Sequence, residues 1–405
     1  MDKKPERLVP EVRFKGFTDD WEQRKLGTLF QKNIERNDDE KFNYNQTLSV
    51  STMTFKPNGN GASAKSLANY KVLRLGDVAF EGHPNKQFSY GRFVVNDNAD
   101  GIMSPRFATI RPIKAININY WKNYLHNENI MKYVLVKSTK AGTMMNELVY
   151  SDLYKQVLKV PNITEQVKIG NLLQKIEIII TLQQRKLEQL KQLKKALLQQ
   201  LFVGKNNKQP NLRFKNFDGE WEQCMLKEIK DVRDGTHNSP KYQKEGYPLV
   251  TSKNLITNGI DLSNVSFISK YDYQEINKRS KVETGDILFG MIGTIGNHVM
   301  VKKGGFAIKN VALIKNGGEV SNGFLLHLLK SAIFSQYIKK ENAGGTQKFL
   351  GLSVIRGFKF KVPDKVEQGN IASIFDTLNR FITLQKNNLT QLTTLKKYLL
   401  QNLFI

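Results

Sequence analysis

Five polar side chains stand beside glycines in two short loops. Thr143 and Asn146 follow Ala141-Gly142, and Thr346, Gln347 and Lys348 follow Gly344-Gly345. Glycine lets a backbone come close to a ligand, and short polar or cationic side chains suit hydrogen bonds to phosphates and base edges. Lys253, Asn254 and Thr294 are assigned to the same chemistry. The competing reading of both loops is an ordinary helix-to-strand connection.

Other residue patterns argue against catalysis. Gly290-Met291-Ile292-Gly293-Thr294-Ile295-Gly296 is glycine-rich but is neither the dinucleotide fingerprint nor a P-loop, because no Gly-Lys-Ser/Thr follows. It is expected to be a tight turn or a close approach of backbone to a ligand. The five histidines, His83, His126, His237, His298 and His327, are scattered, so no metal site is expected. Cys224, the only cysteine, excludes an internal disulfide and points to a reducing compartment. No G-x-S-x-G elbow, no Asn-Pro-Pro-aromatic motif and no nuclease-type cluster of carboxylates and lysine occurs. Asp364-Lys365 reads as a solvated loop, and Trp21 and Trp221 read as packing residues.

Charge narrows the partner. The 405 residues carry a formal net charge of +25, with no block of like charge to account for it. The charge therefore belongs to folded domains and calls for a polyanion, nucleic acid ahead of a membrane surface. The first residues lack the apolar core of a signal peptide, and no apolar run is long enough to span a bilayer.

The elements that must position these residues are duplicated. Pro10, Arg13, Phe14, Phe17, Trp21, Glu22 and Gln23 recur as Pro210, Arg213, Phe214, Phe217, Trp221, Glu222 and Gln223, a constant shift of 200. Val160-Pro161, Glu165-Gln166, Thr181-Leu182-Gln183 and Leu197-Leu198-Gln199 recur at a shift of 202. The period is too long for a solenoid, whose repeats run to roughly 20–50 residues. Apolar residues three and four apart from Glu165 to about Phe202, and from Glu367 to Ile405, predict two long helices. Each has a narrow stripe that needs a partner helix, interrupted by Gln183 and Gln385, which are either register-fixing or surface residues. Between these landmarks the halves read as strand-rich, with a Gly-Asp turn before Val78-Ala79-Phe80 and before Ile287-Leu288-Phe289. Amphipathic helices are expected over 120–137 and 323–339. The framework repeats and the loops do not, which suits two domains of one fold with different targets.

Pro-x-(Leu/Val)-Arg-Phe-x-x-Phe with Trp-Glu, Gly-Asp-Ile-Leu-Phe, Gly-Thr-Ile-Gly, Gly-Thr-Gln-Lys, and Val-Pro with Glu-Gln leading into a long helix resemble the specificity subunits of type I restriction-modification systems. The resemblance covers nearly the whole chain. It departs where the first half has Phe80-Glu81-Gly82-His83-Pro84 in place of the Gly-Thr-Ile-Gly turn. It implies an α+β pseudo-two-fold tandem repeat with two target-recognition domains, residues 1–160 and 205–362. Two long antiparallel coiled-coil helices, 161–204 and 363–405, would form a spacer between half-sites. It also implies a non-catalytic cytoplasmic subunit whose partners are double-stranded DNA, two modification subunits and restriction subunits. S-adenosylmethionine, ATP and Mg would then be bound by those partners and not by this chain. The rival classes are a self-contained DNA enzyme and a helical scaffold with no DNA role.

Overall fold

The computed structural model describes residues 9–204, 207–257, 259–292, 296–341 and 349–405. They form two compact units, one from Met1–Gln184 with Asn387–Ile405 and one from Arg185–Lys386. Each is α+β, and each is built on an antiparallel four-stranded sheet.

In the first unit the strand order is Phe30–Lys32, Ala108–Pro112, Val78–Glu81, Arg92–Val95. In the second it is Val232–Asp234, Val311–Ile314, Ile287–Gly290, Gly296–Met300. The two orders correspond strand for strand. Two central strands are buried on both faces and read as unbroken apolar runs, Val78-Ala79-Phe80 and Val311–Ile314. Arg92–Val95 lies at the sheet edge and alternates half-buried with buried positions. The Gly-Asp turns are equivalent too. Gly76 (φ +92°) and Gly285 (φ +89°) adopt the left-handed conformation that favours glycine. The following carboxylates fasten the turn: Asp77 accepts the Arg74 N–H at 2.7 Å and Asp286 accepts the Glu283 N–H at 2.8 Å.

After each sheet come two helices where the sequence suggested one: Ile118–Leu125 and Glu128–Ser138, then Asn322–Leu329 and Ala332–Glu341. The break has a local cause. Asn127 accepts the Asn129 N–H at 3.1 Å and Ser331 accepts the Ile333 N–H at 3.3 Å, so each restarts the chain as an N-cap.

The long helices are Ile163–Gln200 and Lys365–Asn402, 38 residues each, or about 57 Å at the α-helical rise. Asn162 and Asp364 cap them, accepting the Glu165 and Glu367 N–H groups at 2.9 Å. Asp364 is thus solvated, as expected, and also a cap. The units divide both helices. The first packs Ile169, Leu173 and Ile176 with Leu399, Leu403 and Phe404 around Trp21, Tyr120 and Tyr124. The second packs Ile371, Phe375 and Leu378 with Leu197, Leu201 and Phe202 around Trp221 and Phe324. Within each unit the start of one helix meets the end of the other, so the pairing is antiparallel. Both tryptophans are core residues. Gln385 is buried and Gln183 half-buried, so Gln385 is not a surface residue.

Candidate nucleic-acid interface

A duplicated clamp fixes each domain to its helix. Arg13 makes a two-pronged contact with the buried Glu165 at 2.8 and 2.9 Å. Arg213 does the same with the buried Glu367 at 2.9 and 2.8 Å. The adjacent glutamines donate to the preceding prolines, Gln166 to the Pro161 carbonyl at 2.9 Å and Gln368 to the Pro363 carbonyl at 3.0 Å. Antiparallel pairing of Glu22–Lys25 with Val157–Val160, and of Glu222–Met225 with Lys359–Val362, ties the opening motif to the root of each helix. The conserved order of the two sequence repeats is therefore a mechanical joint.

The first flagged loop, and the residues that follow the second, are stitched to one end of each sheet. In the first unit the Asn146 N–H donates to the Gly82 carbonyl at 2.9 Å. A side chain at Gly82 would put a Cβ 2.0 Å from the Asn146 carbonyl oxygen, so glycine is needed there. In the second unit the Leu350 N–H donates to the Met291 carbonyl at 2.8 Å, and Ile292 bridges to Phe349. The two halves differ in motif here yet make the same connection.

Beside each junction lies a polar cavity. The first, about 210 Å³, is lined by Lys32, Lys71, Arg106, Asn146, Glu147 and Tyr150, among others. The second, about 470 Å³, includes Tyr242, Lys253, Asn254, Asn264, Lys309 and Asn310. Both sit at the end of the sheet where Phe80 pairs with Ala108 and Gly290 with Val311.

The surrounding cations divide into committed and uncommitted ones. Arg74 pairs with Glu35 and Asp100, and Arg111 with Asp77 and Glu35. Burial works against the Glu35 carboxylate, but Arg74 and Arg111 outweigh it and hold its pKa below the usual range. Lys32, by contrast, lies over the Tyr150 ring at 5.2 Å, and Lys71 donates to the Phe107 carbonyl at 2.5 Å. In the second unit Lys309 donates to Ser239 at 2.6 Å. His237 stands 2.8 Å from both Asn310 Oδ1 and Asp234 Oδ2, and Asp234 also binds Arg279.

Of the residues picked from sequence, Thr143 is exposed, and Asn146 is half-buried at the rim of the first cavity. Lys253 is exposed at the second cavity. Asn254 is buried and its amide is engaged: it accepts from the Thr251 N–H and hydroxyl, both at 2.9 Å, and donates to the Asp261 carbonyl at 3.2 Å. Thr294, Thr346, Gln347 and Lys348 lie outside the described residues. Lys32, Lys71 and Arg106 were not picked, because only the sheet order brings them together. Burial pushes the Cys224 thiol up to about 11, which keeps it unreactive.

The fold is shared with a known family of recognition domains. Residues 218–394 match the family model for the type I restriction modification DNA specificity domain. The specificity subunit of the type I restriction enzyme MjaVIII from Methanocaldococcus jannaschii is 22% identical over 286 residues, covering 68% of this chain and 67% of that protein. Over the whole chain the fold is similar to that of the type I restriction-modification S subunit from M. genitalium (TM-score 0.57, 15% identity, 98% of this chain and 99% of that one). It is also similar to that of the HsdS subunit from Thermoanaerobacter tengcongensis (TM-score 0.51, 16% identity, 100% and 99%). Residues 218–394 thus carry a type I restriction-modification DNA specificity domain, and the chain as a whole shares the fold of the specificity subunits.

Proposed function

We propose that each unit reads one half of a split double-stranded target, and that the pair directs methylation or cleavage by partner subunits. The observation carrying this reading is that the sheet order, the Gly-Asp turn and the Arg–Glu clamp all occur twice, while the loops at the sheet ends differ. One framework with two sets of loops is what two different half-sites require. Similarity to type I specificity subunits supports assembly with modification and restriction subunits. A stoichiometry of two modification subunits is supported by exposed apolar residues at matching places on the long helices: Ile179 and Phe381, Leu182 and Leu384, Leu193 and Leu395. S-adenosylmethionine would be bound by the modification subunits, and ATP and Mg by the restriction subunits, in the cytoplasm.

The test is to replace residues 1–160 with the equivalent domain of a relative and to map methylated positions genome-wide. One half-site should change and the other persist. A change in both would refute one-domain-one-half-site reading.

A further inference from the structure

The cavity of the first unit holds cations with nothing to neutralise them. Lys32 ends one sheet strand, Lys71 begins the Lys71–Leu73 strand, and Arg106 sits in the turn before Ala108. Among the described residues none of the three has a carboxylate partner. Lys71 is buried, and its ammonium, with three N–H groups, donates to the Phe107 carbonyl alone. Burial of an ammonium without an anion is costly.

The charged groups around Lys71 are mostly of its own sign. Lys32, Arg36 and Arg106 are cationic, and Arg36 is turned to the Asn69 carbonyl at 2.7 Å. Glu147, the one acid among the described residues lining the cavity, is exposed and bridges Lys140 at 3.2 Å. Burial pulls the Lys71 pKa down to about 8, with Arg36 and Lys32 adding to the effect. An anion in the cavity would reverse that shift. The volume, about 210 Å³, accommodates a phosphodiester group with a few waters, each taking about 30 Å³. The second unit is built differently at this place, with amides and hydroxyls, an exposed Lys253, and Lys309 tied to Ser239.

We propose that this cavity seats one backbone phosphate of the DNA half-site read by the first unit, held by Lys32, Lys71 and Arg106 with Asn146 at the rim. The proposal rests on the DNA-reading assignment above. The seat fixes register and carries no sequence information, because every nucleotide offers the same phosphate.

The experiment uses the full-length chain, alone and in the complex that copurifies with it, with several unrelated mixed-sequence duplexes at 50–200 mM salt (about the range over which phosphate contacts are resolved). Arg106→Gln and Lys32→Gln change exposed side chains. Lys71→Met and Lys71→Arg separate lost charge from lost packing. Each neutral variant should lower the magnitude of the slope of log K against log salt, the combined triple variant by about 0.9 in all as one phosphate requires, and each should weaken all duplexes by the same factor, whereas Lys71→Arg should keep the slope. A parallel arm titrates inorganic phosphate at matched ionic strength. Phosphate binding lost in the variants with an unchanged DNA slope would make the seat one for free phosphate and overturn the proposal. A loss confined to particular base pairs would do the same, in favour of base reading. Wild-type binding with unaltered slopes in the variants would sink the seat alone, whereas failure of the wild type to bind any duplex would sink the DNA-reading assignment with it.

Discussion

At the scale of the residue, the Arg–Glu clamps and the buried histidines carry most of the energetic consequence. Glu165 and Glu367 are almost wholly enclosed, and each is matched by one guanidinium that keeps a thin exposed edge. Removing the arginine strands a buried carboxylate. Arg13→Ala should cost about 2–3 kcal/mol, somewhat below the figure for a fully buried pair because water reaches the guanidinium edge. Urea unfolding measures it, and Arg13→Met with Glu165→Met should recover most of the loss. His298 and His327 behave in the opposite way to paired groups. Burial holds both near a pKa of about 3, and Lys330 reinforces this at each, with Lys194 also acting on His327. Asp376 lies 3.7 Å from His327 but is exposed and does not offset it. Folded pKa values below the unfolded value of about 6.5 mean that the unfolded chain binds protons that the native chain does not. Stability should therefore fall as pH drops from about 6.5 toward 3, by about 2 kcal/mol per histidine at pH 5. Urea midpoints at pH 8 and pH 5 report it, and His327→Leu should remove its share. An unchanged pH dependence in that variant would count against the burial argument.

At the scale of the element, the ends of the long helices matter more than their middles. Phe404 packs against Tyr120 and Tyr124 with ring centroids 5.7 and 5.6 Å away. Phe202 packs against Phe324 and Phe375 at 5.4 and 6.0 Å. Phe404→Ala should cost about 3–5 kcal/mol, and hydrogen exchange should show the loss in residues 9–160 while the second unit stays protected. Faster exchange confined to the second unit would refute this assignment of the helix end. The helices, the Gly-Asp turns and the opening motifs were legible in the sequence because each appears twice with its apolar spacing intact. The cavities were not. Lys32, Lys71 and Arg106 are far apart in the chain, and only strand pairing gathers them. Asn254 shows the converse problem: an amide suited to a base edge is equally suited to capping a turn, and here the fold uses it for the turn. The break between the paired helices was missed for the same reason, since Asn127 and Ser331 act through backbone contacts that apolar periodicity does not register.

At the scale of the molecule, the two helices of equal length suggest a ruler. Matching insertions of four residues near Gln183 and Gln385 add about one turn, or roughly 5.4 Å, to each helix. The unread gap in the methylated motif should then grow by about one or two base pairs, given a rise of about 3.4 Å per pair, while both half-sites persist. An active variant with an unaltered gap would discard the ruler.

The hydrogen bond from the Val12 N–H to the Asn402 carbonyl, at 3.0 Å, has a topological consequence. It brings residues far apart in this sequence together within the first unit, so a chain joined there into a loop would keep the same contacts. An exposed cut elsewhere should then serve as well. A circular permutant joined from Ile405 to Val9 by a short flexible linker and reopened at exposed Lys208 should fold and impose the same methylation motif. A permutant that folds but reads a different motif would show that where the loop is cut matters after all.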